Sequence, residues 1–160
     1  MIKMFRNEYS FLSNFYYANQ YLPIPGYGVL MFKTNEHFFV WCKTNNPEHK
    51  MEILNAPTPA IAKKMGSPKG YIMPDGRLFK IDLRPDWDVV KDPAMIAGLE
   101  LKFGQNADIR QALVATYPED IQEGNWWNDT YWGVCNGQGE NNLGKILMQV
   151  RSEFAWVGNT

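Results

Sequence analysis

The chain has 160 residues, of which 45% are hydrophobic, so it is long enough for one ordinary domain that buries its core without metal or disulfide support. Its 16 basic and 17 acidic residues give a net charge of −1 with no long run of either sign, which lacks the basic footprint of a protein that binds duplex nucleic acid or an anionic membrane. Cys42 and Cys135 stand far apart without ligand spacing, which argues against a zinc site or a disulfide framework and favours a cytoplasmic setting.

The first half of the chain predicts two strands followed by three helices. The predicted strands cover residues 2–5 and 27–32, and the predicted helices cover residues 36–43, 47–55 and 59–65. Thr34 or Asn35 can cap the first helix, which ends before the break at Pro47. The next two helices begin where a capping residue precedes a proline, as in Thr58-Pro59, a combination preferred at helix starts.

The second half predicts a hairpin and three further helices. The hairpin turns at Pro74-Asp75-Gly76, because Asp-Gly is a favoured turn dipeptide. Asp92-Pro93 predicts a helix over residues 93–103, and Asn106 can cap another that ends near residue 115. A helical stripe of apolar residues predicts a last helix packed on the core, namely Leu143, Leu147, Val150 and Phe154. We therefore predict a single α+β domain over residues 1–160, mainly helical with a small sheet, and no membrane span.

The helix over residues 36–43 carries the first group of residues suited to chemistry. Glu36 and Lys43 are seven residues apart and share a helix face, so a carboxylate and an amine can point into one cleft. A solvated helix with two surface charges would give the same pattern. His37 has no second His or Cys at ligand spacing, which favours a packed core histidine over a metal ligand.

The segment over residues 123–133 contains three tryptophans, one tyrosine and two carboxylates and follows neither the helical nor the strand period. A carboxylate among rings is typical of a loop where a flat base or a ribose stacks while the acid acts at the sugar carbon. Alternatively, the tryptophans pack under the loop and Asp129 only forms a turn. The glycines from Gly133 to Gly144 precede the last helix and can approach a phosphate, but they match neither the Walker nor the Rossmann motif.

These motifs occur in the order found in the NADAR (YbiA-like) family, which the chain resembles over nearly its whole length. The resemblance rests on Phe11-Leu12-Ser13-Asn14-Phe15, Glu36-His37 with Phe39 and Lys43, Ala62-Lys63 with Gly66, Arg84-Pro85-Asp86-Trp87, Lys102-Phe103, Glu123, Asp129 with Trp132-Gly133, and the run from Gly137 to Arg151. Residues 67–80 and the pair Trp126-Trp127 depart from the family pattern and can alter which substrate fits.

The resemblance implies a YbiA-like fold and a metal-free, cofactor-free enzyme that hydrolyses the N-glycosidic bond between a ribose and a base-like amine. It implies two groups of ribosyl substrate: the small ribosylamino-pyrimidine phosphates of riboflavin synthesis, and ADP-ribose attached to guanine in nucleic acid. It also implies active-site roles for Glu36, Trp87 and Asp129. A lysine is expected to react with the ring-opened sugar, with Lys43 as the candidate and Lys102 as the alternative. No obligate protein partner is implied.

The residue types fit this chemistry. Cleavage of the C1–N bond develops positive charge on the sugar, which one carboxylate can stabilise while another carboxyl protonates the leaving nitrogen. Trp87 and Trp132 are candidates for stacking, and the candidates for polar substrate contacts are Arg6, Asn14 and Asn141. We expect a cleft formed by the Glu36 helix, the Trp87 segment and the Asp129 loop. The alternative is a non-catalytic module for ADP-ribose or a nucleotide, but acidic residues beside an anionic ligand would weaken its binding.

Overall fold

The computed structural model describes residues 1–26 and 28–158, and the chain divides into two compact units. One unit comprises Tyr17–Gly98, and the other comprises Met1–Tyr16 with Leu99–Thr160. Six α-helices and three two-stranded sheets occur in the described part of the chain, which confirms a mainly helical α+β architecture. Tyr27, at the start of the second predicted strand, lies outside the described residues.

The unit Tyr17–Gly98 begins with an antiparallel hairpin and continues into helices. Its elements in chain order are β1 (Tyr17–Ile24), β2 (Gly28–Thr34), α1 (Asn35–Cys42), α2 (Pro47–Leu54), α3 (Pro59–Met65), β3 (Tyr71–Ile72), β4 (Leu78–Phe79) and the start of α4 (Trp87–Gln105). In the register of β1 and β2, Gln20 lies opposite Phe32 and Leu22 opposite Leu30. The predicted turn at Gly76 is confirmed, because β3 and β4 pair antiparallel on either side of it.

Helix α1 is buried on nearly every side, from Asn35 to Val40, because β2, α2 and α3 all pack against it. Through Val40, α1 joins an apolar cluster that also contains Ile53, Ala56, Ala62, Met65, Phe79 and Ile81. On another side, α4 approaches so closely that a Cβ on Gly98 would lie 2.2 Å from Asn35 Oδ1. The chain therefore holds α1 in a fixed position, which matters because α1 carries Glu36.

The unit formed by the two chain ends contains a 3-10 helix and three α-helical segments. In chain order it comprises the 3-10 helix (Asn7–Leu12), the last residues of α4, α5 (Ala107–Ala115), β5 (Gly124–Asn125), β6 (Val134–Cys135) and α6 (Asn142–Gly158). Strands β5 and β6 pair in parallel. The predicted stripe on α6 is confirmed in its first three positions, since Leu143, Leu147 and Val150 are buried.

Three features of the secondary structure differ from the prediction. Residues 2–5 do not form a strand, because Ile2 makes only an isolated bridge to Ile121. Strand β1 was not predicted, since Gln20 breaks the apolar alternation yet occupies a buried position. Helix α4 begins at Trp87 rather than at Pro93, which lies inside it. A proline there removes the bond to the carbonyl of Val89, and this residue is exposed, so water can hydrate the carbonyl.

Candidate active site

Helix α1 places Glu36 and Lys43 on one face. Thr34 caps the helix, its Oγ1 accepting a hydrogen bond from the His37 backbone N–H at 3.2 Å. Glu36 lies in the first turn, where the helix dipole favours a carboxylate, and it is only 9% exposed. Lys43 follows the last turn in helical geometry, so the predicted shared face is retained. The alternative of two solvated surface charges is wrong, because Glu36 is buried and Lys43 is half-buried.

Lys43 Nζ lies among aromatic rings at the end of α1. It is 5.7 Å from the ring centre of Phe39 and 5.8 Å from that of Trp87, and it donates a hydrogen bond to the Gly66 carbonyl at 3.4 Å. Burial lowers the pKa of Lys43 below its ordinary value of 10.5, the Glu36 charge raises it, and Lys63 lowers it. The amine is therefore closer to its neutral, nucleophilic form than a surface lysine is.

Trp87 is brought to this site by the segment before α4. The Arg84 N–H donates to the Lys43 carbonyl at 2.8 Å, and the Trp87 N–H donates to the Arg84 carbonyl at 3.2 Å. The Arg84 guanidinium also binds both carboxylate oxygens of Asp86, at 2.7 and 3.1 Å. The Trp87 ring then meets Phe39 edge-on, with ring centres 5.1 Å apart. The motif Arg84-Pro85-Asp86-Trp87 thus holds an aromatic wall beside Lys43.

His37 is a packed core histidine, as the sequence favoured. Its side chain is fully buried, with Nδ1 2.7 Å from Thr34 Oγ1 and Nε2 3.0 Å from the Ala56 carbonyl oxygen. A carbonyl only accepts, so Nε2 carries the proton and Nδ1 can accept from the Thr34 hydroxyl. Burial lowers the pKa of His37. The neutral ring thus links the start of α1, next to Glu36, to the Ala56 carbonyl.

In the other unit, Asp129 lies in a loop that Asn125 closes. The Asp129 N–H donates to Asn125 Oδ1 at 3.1 Å, and Asn125 Nδ2 donates to the Asp129 carbonyl at 2.8 Å. Asp129 Oδ1 accepts from the Trp132 N–H at 2.9 Å, which is the turn-forming role named as an alternative. The Asp129 side chain is half-buried. The closure of the loop by Asn125 was not predicted, and its signal in the sequence is an asparagine four residues before the aspartate.

The glycine-rich run supports this loop through its backbone. Glu140, Asn142 and Leu143 donate their backbone N–H groups to the carbonyls of Thr130, Tyr131 and Trp132, at 2.8, 3.2 and 3.0 Å. The first amides of α6 are therefore hydrogen-bonded to the loop. This structural role explains the glycine-rich run without a bound phosphate. Gly139 is required by this close approach, because its φ is +147° and a Cβ there would lie 2.1 Å from the Gly133 oxygen.

The three predicted polar contacts differ in their surroundings. Arg6 is exposed and lies 5.6 Å from the ring centre of Trp126, and Asn14 is half-buried in the turn after the 3-10 helix. Asn141 has a structural role, since its Oδ1 accepts from the Glu123 N–H and its Nδ2 donates to the Ile121 carbonyl, both at 2.9 Å. Binding of substrate by these residues stays a prediction.

Lys102, the alternative reactive lysine, is fully buried. Its Nζ donates to the Ser13 carbonyl at 2.8 Å and lies 5.7 Å and 5.1 Å from the ring centres of Tyr16 and Phe103. Burial lowers the pKa of Lys102 to about 7. Lys102 lies on α4, so this hydrogen bond holds the turn that contains Asn14 against the helix.

An open surface depression is lined by Asn45, Asn46, Pro47, Glu48 and Asp82, none of which is a predicted site residue. Within residues 1–26 and 28–158, no group of three or more His, Cys, Asp or Glu side chains is arranged to hold a metal ion. Over the same ranges, no helix has both the length and the apolarity needed to cross a membrane.

Comparison with known proteins agrees with the resemblance read from the motifs. The NADAR domain model matches residues 3–155. N-glycosidase YbiA of Shigella flexneri serotype 5b is 33% identical over 150 residues, which cover 93% of this chain and 84% of that protein. A riboflavin biosynthesis protein of Vibrio vulnificus is 27% identical over 148 residues, covering 92% of this chain and 36% of that protein.

The fold comparison gives the same result. The NMR structure of the E. coli protein YbiA superposes with a TM-score of 0.74 at 30% identity, covering 99% of this chain and 89% of that one. The predicted YbiA-like fold is therefore confirmed. The chain belongs to the NADAR family and is an N-glycosidase.

Proposed function

We propose that this N-glycosidase hydrolyses the bond between ribose and the exocyclic amine of a ribosylamino-pyrimidine phosphate, with Lys43 as the reacting amine. The observation that carries the proposal is the half-buried Lys43 amine, whose pKa burial lowers, between Phe39 and Trp87 and under the influence of the Glu36 charge. The name of the Vibrio vulnificus relative, a riboflavin biosynthesis protein, supports the substrate.

Lys43 is suited to a ring-opened substrate. A sugar joined to an exocyclic amine can open to an imine at C1, and a neutral lysine can add to that carbon. The C1–N bond to the base then breaks, and its electron pair and a proton go to the leaving amine, which departs as an NH₂ group. Water finally hydrolyses the lysine–C1 imine to release the sugar aldehyde and restore the lysine amine. No oxidant or metal is required for this balance.

We assign Glu36 to proton transfer at the leaving nitrogen and Asp129 to stabilisation of positive charge on the sugar carbon. The position of Glu36 supports its role, because it is buried on the helix face that it shares with Lys43, next to the proposed reacting amine. Asp129 Oδ1 accepts from the Trp132 N–H as described above, and an ionised carboxylate offers about four acceptor sites, so acceptor capacity is left for substrate.

We assign stacking of the substrate to Trp87 and Trp132, and polar contacts with ribose or phosphate to Arg6, Asn14 and Asn141. The position of Trp87 beside Lys43 supports its assignment. The same reaction would serve ADP-ribose attached to the exocyclic amine of guanine, the second substrate group implied by the motifs. In a purely carboxylate-based route, Glu36 and Asp129 would act on the closed ring and Lys43 would only bind substrate.

Chromatography of products from a substrate panel tests the proposal. The panel contains a ribosylamino-pyrimidine phosphate, an ADP-ribosyl-guanine oligonucleotide, and UMP, in which a ring nitrogen carries the ribose and cannot form the open-chain imine. We expect release of sugar phosphate from the first substrate and none from UMP. If only the guanine adduct is cleaved, the substrate is ADP-ribosyl-guanine rather than a ribosylamino-pyrimidine phosphate. Tight binding without any product from the panel would contradict the reaction and support a binding module.

Two substitutions separate catalysis from binding in the same assay. Glu36→Gln and Asp129→Asn should each lower the rate of product release at least about a hundredfold while the affinity for substrate persists, because each removes a charge and keeps the side-chain shape. Glu48→Gln, at an exposed glutamate of the unit that carries Glu36, is the matched control and should leave the rate unchanged.

A further inference from the structure

The tip of the Asp129 loop presents a pair of tryptophans to solvent. Trp126 is 71% exposed and Trp127 is 45% exposed. Their rings meet edge-on, with centres 4.9 Å apart and planes at 82°. Exposed indoles keep a large apolar surface in water, and a flat ligand that covers two adjacent ones gains free energy by removing that surface from water. The catalytic assignments above make no use of either ring.

The loop holds this pair in a defined position. Asn125, only 8% exposed, lies in β5 and closes the loop with its two hydrogen bonds to Asp129. Asn128 has a φ of +65°, and its Oδ1 lies 3.8 Å from Cys135 Sγ in the neighbouring strand β6. The tip therefore consists of three residues between two fixed points, rather than a long free excursion.

Arg6 adds a charge at the edge of the pair. Its guanidinium lies 5.6 Å from the ring centre of Trp126, within the range of a cation–π contact, and the side chain is exposed. Flat indoles beside a planar guanidinium match a heterocyclic base, which has two π faces and polar groups at its rim.

We propose that Trp126 and Trp127 hold the leaving base of the substrate, which stacks on one indole ring while the other, at 82° to the first, contacts the edge of the base, and that the pair so determines specificity for a flat heterocycle. The inference rests on the proposed function, because Asp129 on the same loop is the carboxylate assigned to the sugar carbon. Trp127 and Asp129 are two residues apart in the chain, so their Cα atoms are at most about 7.6 Å apart. A base held by the pair and a ribose at Asp129 are therefore within the reach of one nucleoside.

Calorimetric titration tests this assignment without turnover. The probes are UMP and GMP, which carry a pyrimidine and a purine, and ribose 5-phosphate, which carries no base. We expect Trp126→Ala and Trp127→Ala each to raise the Kd of UMP and GMP about tenfold, since stacking on an aromatic ring contributes on the order of one to three kcal/mol per base. The Kd of ribose 5-phosphate should stay within twofold, about the error of the method.

Trp156→Ala is the matched control, because Trp156 in α6 is also an exposed tryptophan, at 74%. It should change none of the three Kd values. Trp126→Phe should recover most of the affinity for UMP and GMP, which a loss of folding in Trp126→Ala would not explain. Wild-type protein that binds neither nucleotide, or variants that weaken ribose 5-phosphate as much as UMP, would overturn the inference.

The outcome is separable from that of the proposed function. If the base-dependent loss of affinity appears but the substrate panel yields no product, the stacking pair stands and the reaction fails. If product is released and KM for it is unchanged in Trp126→Ala and Trp127→Ala, the reaction stands and the stacking pair is wrong. With a cleaved substrate we expect KM to rise about tenfold while kcat stays within about twofold.

Discussion

Lys43 and Lys102 both lie beside aromatic rings, and burial lowers the pKa of each, yet their surroundings differ. Lys43 is half-buried, and the Glu36 charge counteracts the lowering of its pKa. Lys102 is fully buried, its pKa is about 7, and its amine donates to the Ser13 carbonyl. A lowered lysine pKa therefore occurs in two different environments in this chain. We propose Lys43 rather than Lys102 as the reacting amine because Lys43 is partly exposed and has the Glu36 carboxylate nearby.

The largest expected effect on kcat comes from replacing each of the two lysines, Lys43 and Lys102, by methionine. Lys43→Met should lower kcat by at least about 10³-fold, because no other group supplies the proposed nucleophile. Lys102→Met should lower it less than about tenfold, since it alters a turn rather than the reacting amine. Steady-state kinetics of both variants on the cleaved substrate checks this. A larger loss in Lys102→Met than in Lys43→Met would reverse the comparison.

Glu36→Gln should lower kcat by about 10² to 10⁴-fold, the usual contribution of a general acid or base. It should also shift the pH profile, because the Glu36 charge raises the pKa of Lys43 and its removal lowers that pKa further. The rising limb of kcat/KM, which reports deprotonation of the amine, should thus move to lower pH. Glu48→Gln, at an exposed position of α2, is the control. An unshifted limb would show that Glu36 does not act on Lys43.

For Lys102 the effect is on stability. With a folded pKa of about 7 and an unfolded value near 10.4, the unfolded chain binds more protons between these limits, so stability rises with pH across that window. From pH 7 to pH 9 this contributes about 2 kcal/mol in the wild type and nothing in Lys102→Met. Urea unfolding of both proteins at the two pH values measures the difference. If the unfolding free energies of the two proteins changed equally with pH, the lowered pKa of the buried Lys102 amine would be contradicted.

The smallest effect separates the two roles of Asp129. Asp129→Asn keeps an oxygen that accepts from the Trp132 N–H, whereas Asp129→Ala loses it and should cost about 1 kcal/mol of unfolding free energy relative to Asn. Both variants lack the charge, so kcat should fall to the same extent in both. Equal stabilities with unequal rates would mean that the hydrogen bond and the charge have been assigned the wrong way round.

Local signals predicted the helix starts that local contacts determine. Asn46 Oδ1 accepts from the N–H groups of Glu48 and His49, and Thr58 Oγ1 accepts from that of Ile61. The start of α4 escaped prediction, because the preceding segment is fixed by the Arg84 N–H and the Lys43 carbonyl, which are distant in sequence. Proline alone suggested a later start, but only contacts made in the folded chain show where this helix begins.

Features of the candidate site divide in the same way, into those predicted by local sequence and those that depend on contacts in the folded chain. The shared face of Glu36 and Lys43 followed from their spacing on a helix, and the burial of His37 from its lack of a second ligand. Strand β1 was missed because Gln20, a polar residue, is buried and donates to the Gly98 carbonyl at 3.1 Å. The aromatic wall of Phe39 and Trp87 and the approach of the Gly66 carbonyl to Lys43 depend on tertiary packing that no sequence period encodes.

Trapping of the covalent intermediate tests the reactive lysine most directly. Borohydride added during turnover would reduce a lysine–C1 imine to a stable amine, and mass spectrometry of peptides would locate the ribosyl phosphate adduct. We predict an adduct on Lys43, absent from Lys43→Met and retained in Lys102→Met. An adduct on Lys102, or full product release with no adduct on any lysine, would contradict the assignment of Lys43 as the reacting amine.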